Sequence, residues 1–204
     1  MKLYFAPGAC SLAPHIVARE AGVPIELVKV DLLRHELADD RAPFSAVNPK
    51  NYVPAVELED GQVLTEAAAL VQWLAEQGKE PGLLPASGLE RFRVIEWLNF
   101  VATELHKGFG PLWHQPSPEA KAATIAKLNT RFALVEARLA DHDYVAADRF
   151  TVADAYTFTI LSWAAPLRVD LSAYPKVQAY LQRIAARPAV QEALGAEGLL
   201  KQAA

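Results

Sequence analysis

Cys10 is the only cysteine among 204 residues. It stands in the run Leu3-Tyr-Phe-Ala-Pro-Gly-Ala-Cys-Ser-Leu-Ala-Pro-His-Ile16, where a short apolar stretch breaks at Pro7-Gly8 and resumes with helical spacing at Leu12, Ile16 and Val17. The pattern predicts strand, turn and helix, with Ser11 as N-cap and Cys10 where the helix begins. Unpaired amides and the positive end of a helix dipole stabilise an anion at such a point, a thiolate or a bound carboxylate alike. A thiol there ionises more readily than a free one, whose pKa is about 8.5. The competing reading of Cys10 is a small buried hydrophobe that fills a gap, and residue types alone leave both readings open. Without a second cysteine, any disulfide chemistry must borrow its partner sulfur from a ligand.

Two further groups carry chemistry by their spacing. Thr65-Glu66-Ala67 opens a helix, so this position offers a second anion site together with a carboxylate able to hold an ammonium; the plainer reading of Glu66 is an acid that suits the helix dipole. Asn99, Thr103 and His106 recur at i, i+4 and i+7, apart from the apolar stripe of Val94, Leu98, Val101 and Leu105. That polar row is either ordinary solvation or the lining of a wet cleft between domains, with Glu104 at its flank. Asp154, three residues after Thr151, reads as a structural carboxylate of the capping-box type. The five histidines (15, 35, 106, 114 and 142) show no ligand spacing with one another or with Cys10, so no metal is expected. Phosphate-loop, dinucleotide, serine-hydrolase and zinc-protease motifs are absent.

The elements that position these residues follow from the turn signals. Pro24 precedes a β-rich run, Ile25 to Val30, so the first helix joins two parallel strands by a right-handed crossover. Residues 31–49 read as a long connection holding a helical turn or two. Asp60-Gly61 between alternating apolar runs predicts an antiparallel hairpin. Pro54 opens its first strand; most X-Pro bonds are trans, and a cis bond would instead turn the Val53 amide and carbonyl outward for an extended ligand. A β-α-β-α-β-β-α unit over residues 1–78 results, then a Gly/Pro-rich linker, 79–88, and an all-helical region, 89–204. Ser117-Pro118-Glu119 marks one helix start, running to about Leu139, and another helix spans Val152 to about Ala165.

Composition narrows the setting. Hydrophobic residues at 52% and charged ones at 22% describe an ordinary globule, while a net charge of −4 without any basic run argues against a nucleic-acid surface. No stretch is long and apolar enough to cross a bilayer, and Pro7-Gly8 cuts the first apolar run before it serves as a signal-peptide core. A lone cysteine suits a reducing compartment, so a cytoplasmic protein acting on small molecules is expected.

The order of elements, with Val-Pro ahead of the third strand, resembles the glutathione S-transferases. The run from Lys2 to His15, Asn48-Pro-Lys, Val53-Pro-Ala, Leu64-Thr-Glu-Ala67, Ile95-Glu-Trp-Leu-Asn-Phe-Val-Ala-Thr-Glu-Leu-His-Lys-Gly108 and Phe150-Thr-Val-Ala-Asp-Ala-Tyr156 are similar to the bacterial beta class. The similarity reaches from residue 2 to Leu199.

This resemblance implies an α/β plus all-α protein: an N-terminal thioredoxin-like domain followed by a C-terminal helical bundle, assembled as a homodimer. It implies glutathione as co-substrate and a small hydrophobic electrophile. Cys10 would lie against the glutathione sulfur and be able to form a mixed disulfide with it. Val53 would hold the cysteinyl backbone, and Glu66 with the amide of Ala67 the γ-glutamyl end. Asn99, Thr103, Glu104 and His106 would surround the ligand, His106 close to the sulfur. The helix start, Cys10 or Ser11, and His106 would favour the thiolate, while Cys10 itself would support disulfide or peroxide chemistry.

Two departures from the family pattern stand out. His35 replaces a lysine near the glycyl end; a histidine is mostly neutral at pH 7, implying weaker glutathione binding that strengthens at lower pH. Lys50-Asn51-Tyr52-Val53-Pro54 carries one extra residue, with Asn51 suited to positive φ and Tyr52 placed to narrow the pocket mouth. The rival readings are a non-catalytic ligand carrier and a specialised glutathione-dependent dehalogenase or isomerase.

Overall fold

A computed structural model describes residues 1–200. The chain forms two compact units, one of Met1–Leu83 joined by the segment that begins at Arg187, the other of Leu84–Ala186.

The first unit is a five-stranded sheet with helices. β1 (Lys2–Phe5) leads through α1 (Leu12–Glu20) to β2 (Glu26–Asp31), β3 (Glu36–Leu37), β4 (Ala55–Glu57), β5 (Val63–Thr65) and α2 (Ala67–Gln77). The strand order is β3-β2-β1-β4-β5, with β1 parallel to β2 and the other pairs antiparallel. The Asp60-Gly61 hairpin forms as its sequence predicts: Gly61 has φ +83° and Asp60 accepts from the Gln62 amide at 3.0 Å. Residues 31–49 hold the expected helical turn and add a short strand that the sequence did not signal. They form the short strand β3 and a single 3-10 turn, Phe44–Ala46, because Pro43 and Pro49 bound a stretch too short for a longer helix.

Alternation along β1 builds a core on each face of the sheet. Leu3 and Phe5 pack with Val56 and Leu70, while Tyr4 and Ala6 pack with Val30, Phe44, Val53 and Ala55. The Tyr4 hydroxyl donates to Glu57 at 2.5 Å, which raises the phenol's pKa through burial and the neighbouring carboxylate. That proton is committed to tying β1 to β4. At the end of α2, Gly78 lies so close to the Ala21 carbonyl that any side chain would collide with backbone.

The second unit is helical. α3 (Gly88–Phe100) continues into a π-helical segment, Val101–His106, and a last turn, α4 (Lys107–Phe109). α5 (Pro118–Leu139), α6 (Val152–Leu161) and α7 (Pro175–Ala185) complete it. The expected stripe of Val94, Leu98, Val101 and Leu105 is fully buried. Ser117 caps α5 by accepting from the Ala120 amide at 3.3 Å, with Pro118 in the first turn.

All ten residues of α6 are buried, so it is the centre of the bundle. Asp154 fixes its start: the carboxylate accepts from the Thr151 amide at 2.9 Å, the Thr151 hydroxyl at 3.0 Å, the Val145 amide at 3.0 Å and the Tyr180 hydroxyl at 3.2 Å. Its role is structural, as the spacing from Thr151 suggests.

The last helix, α8 (Pro188–Ala196), follows the helical unit in sequence but packs on α1 in the first unit. Val190 and Ala193 are buried there, and Arg187 grips Glu20 through two hydrogen bonds, at 2.6 and 2.8 Å.

Candidate active site

The turn from β1 to α1 is built around Ser11. Its hydroxyl accepts from the Ala6 amide and donates to the Ala6 carbonyl, each at 3.2 Å, and the side chain is fully buried. Ser11 is therefore not the side-chain cap expected from sequence. Helical bonding already begins upstream, Leu12 to Ala9 and Ala13 to Cys10, which frees the hydroxyl to close the turn instead.

Cys10 lies in this turn at 8% exposure, and its thiol donates to the Val53 carbonyl at 3.3 Å. In this arrangement the thiol proton is directed at a backbone acceptor. The Val53-Pro54 bond is cis, against the commoner trans form. Cys10 and Val53, two of the residues singled out by sequence, thus meet directly.

A second device holds the same turn from outside. Glu197, just past α8, accepts from the Gly8 amide at 2.9 Å and from His15 Nδ1 at 2.9 Å. Arg19 donates to His15 Nε2 at 3.5 Å, which places the ring proton on Nδ1. His15 and the Glu197 carboxylate are both fully buried.

Among the non-glycine residues of the first unit with positive φ are His35 (57°), Arg41 (63°), Asn51 (60°) and Glu66 (71°, with ψ 117°). Such conformations cost roughly 1–3 kcal/mol each and gather at functional sites. Asn48, almost fully buried, organises the loop by accepting from the Lys50 amide at 3.1 Å and donating to the Tyr52 carbonyl at 2.7 Å. His35 Nδ1 donates to the Asn51 carbonyl at 3.0 Å. Lys50 reaches across to α2, donating to Thr65 Oγ1 at 2.9 Å and to Glu66 Oε1 at 2.5 Å. Glu66 is the N-cap of α2 yet makes no side-chain cap bond, and Ala67 opens the helix behind it.

In the helical unit, the chain is π-helical from Val101 to His106; Asn99 and Thr103 stay on one exposed face, while His106 at the segment's end is half-buried. Asn99 and Thr103 are exposed and bond back onto the helix, to the carbonyls of Ile95 and Asn99, both at 2.9 Å. Glu104 pairs with Arg131 of α5 at 2.6 Å. His106 Nδ1 lies 2.7 Å from the Tyr156 hydroxyl, and its ring packs edge-on to Trp163 at 5.0 Å. Trp113 meets Trp163 at 5.5 Å and stays half exposed, so aromatic surface surrounds the one titratable ring.

Lys50, Tyr156, Arg131 and Glu197 escaped the reading of individual residues. Each acts through a side chain at least 15 positions away in sequence, a distance at which no local pattern links partners.

The first unit thus brings together the Lys50–Glu66 ion pair at the start of α2, the Val53 backbone carbonyl and the Cys10 thiol ahead of α1. Among the described residues no group of three or more His, Cys, Asp or Glu side chains is placed to hold a metal, and no helix is long and apolar enough to cross a membrane.

Comparison with known proteins agrees with this description. Residues 8–77 match the family description "Glutathione S-transferase, N-terminal domain" and residues 100–188 its C-terminal counterpart. Glutathione S-transferase GstA of Escherichia coli O157:H7 is 46% identical over 201 residues, covering 98% of this chain and all of that protein. A sphingomonad glutathione S-transferase, solved in complex with glutathione, superposes with a TM-score of 0.91 at 44% identity, covering 98% of this chain and all of its own. The beta-class enzyme of Sphingomonas chungbukensis gives 0.93 at 43% identity with the same coverage.

Proposed function

Since the chain belongs to the glutathione S-transferase family, on the side of its bacterial beta class, we propose how its residues divide the work of that activity. It is a glutathione transferase, and glutathione is its co-substrate. The cysteinyl backbone of the tripeptide pairs with Val53, the γ-glutamyl end sits at Glu66 and the Ala67 amide, and the glycyl end lies toward His35. The sulfur rests beside Cys10 at the start of α1, where the positive end of the helix dipole lowers the energy of its thiolate. Ser11 contributes by shaping the turn. His106, polarised by Tyr156, acts on the same sulfur, with Asn99, Thr103 and Glu104 in the surrounding set.

The thiolate then attacks a small hydrophobic electrophile. A carbon–sulfur bond forms and the leaving group departs with its electron pair, or the pair moves onto an activated double bond. The aromatic edges of Trp113, Trp163 and His106 favour flat, aromatic electrophiles. Leu89, Phe92 and Leu134 are each more than half exposed, apolar side chains that a second copy of the chain covers in a homodimer. The enzyme works in the cytoplasm.

The observation that carries this reading is the Cys10 contact. A thiol already donating to Val53 is a partner for another sulfur rather than a resting nucleophile. Replacing Cys10 by Ala therefore slows conjugation by no more than about fivefold, the worth of one hydrogen bond of roughly 1 kcal/mol, while disulfide exchange disappears. Steady-state assays with an aromatic electrophile and with a mixed disulfide check both halves. Loss of all conjugation would make Cys10 the nucleophile, and binding of glutathione without turnover in the unaltered protein would make it a carrier.

A further inference from the structure

One lysine does more than its exposed position suggests. Glu66 occupies the N-cap of α2, where a carboxylate is drawn toward the first amides of its own helix. It makes no such bond, and its Oε1 is held 2.5 Å from Lys50 Nζ. Lys50 is anchored in turn by Thr65 Oγ1 at 2.9 Å and by a loop whose turn is set by the buried Asn48. The Ala69 and Leu70 amides bond the Glu66 carbonyl at 3.0 and 2.9 Å, so the amides turned toward a ligand are those of the first two helical residues, Ala67 and Ala68.

We infer that Lys50 is a positioning residue for the zwitterionic end of glutathione: it draws Glu66 off the start of α2, so that the helix amides and the Glu66 carboxylate are available to the ligand together. This rests on the reading above that the γ-glutamyl end binds at Glu66 and Ala67.

The physical reason lies in the ligand. Its α-ammonium and α-carboxylate sit on one carbon, so an isolated Glu66 attracts the first and repels the second at nearly the same distance. A protein that presents opposite charges can align with the ligand's dipole instead. Lys50 supplies the missing charge, and by holding Oε1 it leaves Oε2 to accept from the ammonium. The arrangement favours a ligand carrying both groups over one carrying the ammonium alone.

Lys50→Gln, which retains a hydrogen-bond donor without charge, and Lys50→Arg, which retains charge, test this in the full-length protein. Calorimetric titration is carried out with glutathione and with γ-aminobutyryl-cysteinyl-glycine, which keeps the ammonium and lacks the α-carboxylate. Lys50→Gln is expected to weaken glutathione about fivefold, as befits an exposed ion pair, and to leave the analogue within about twofold or tighter. KM for glutathione rises with kcat unchanged, and Lys50→Arg restores most of the loss.

Three results would overturn the inference. Tighter binding of both ligands by Lys50→Gln would make Lys50 a competitor for Glu66. Equal weakening of both would make it a prop of the loop, and no change in either would make it a bystander. A Glu66→Gln variant that binds both ligands as the unaltered protein does would instead remove the underlying placement of the γ-glutamyl end.

Discussion

Replacing Asp154 by Ala is expected to destabilise the protein by about 3–5 kcal/mol, because the Val145 amide, the Thr151 amide and the Thr151 hydroxyl lose their buried acceptor at once, while the Tyr180 hydroxyl keeps the backbone carbonyl of residue 154. For a chain of this size the thermal midpoint should fall by roughly 10 °C. α6 is the bundle's central helix, so the loss should appear as failure of the whole helical unit rather than fraying of one end.

The same carboxylate gives stability a pH dependence of defined sign. Burial pushes its pKa up from 3.8 to about 6, against the pull of its hydrogen bonds. A carboxyl raised in the folded state holds its proton where the unfolded chain has released it. Its contribution to stability is therefore greatest below pH 4 and falls as the pH rises through about 6, by roughly 3 kcal/mol in all. Denaturant titrations of Asp154→Asn at pH 4 and pH 7 should lack that slope.

Glu197→Ala should produce the second large effect, and at two places. His15 Nδ1 and the Gly8 amide both lose the Glu197 carboxylate, and the imidazole is fully buried. The expected loss is about 2–4 kcal/mol. Gly8, with φ +71°, belongs to the turn that carries Cys10, so the start of α1 should loosen as well. KM for glutathione should rise about tenfold although Glu197 does not touch the ligand, since small misplacements of a binding group are expensive. Chemical denaturation and steady-state kinetics on the same preparation measure the two consequences. Loss of stability with unchanged KM would confine Glu197 to packing.

These two residues also show what a sequence can disclose. Asp154 was legible because its partner Thr151 lies three positions away and the spacing itself encodes the bond. The Asp60-Gly61 hairpin, the Ser117-Pro118 helix start and the stripe from Val94 to Leu105 were legible for the same reason: turn chemistry and helical period are local. Glu197 gave no signal, since its bond to His15 spans 182 positions and exists only after α8 has folded back onto α1. The pairing of Lys50 with Glu66 was hidden likewise.

Other features were masked by energies close to balance. A trans Val53-Pro54 bond is favoured by only about 0.5–1 kcal/mol before the fold acts on it, so the common isomer was the rational expectation. The π-helical segment left the buried stripe intact and Asn99 and Thr103 exposed, while His106 at its end bonds Tyr156 across 50 positions. Ser11 shows a third kind of limit. It was correctly placed at the start of α1, but whether its hydroxyl caps the helix or closes the preceding turn depends on where the backbone begins to coil.

The central claim is that this protein lowers the pKa of glutathione's thiol. Ultraviolet titration of the complex measures this directly, and in the Cys10→Ala variant the protein contributes no thiol of its own, so the thiolate absorbance reports the ligand alone. The bound thiol should ionise about one to two units below the value near 8.5 of a free cysteine. A titration curve that coincides with that of glutathione in buffer would contradict the account.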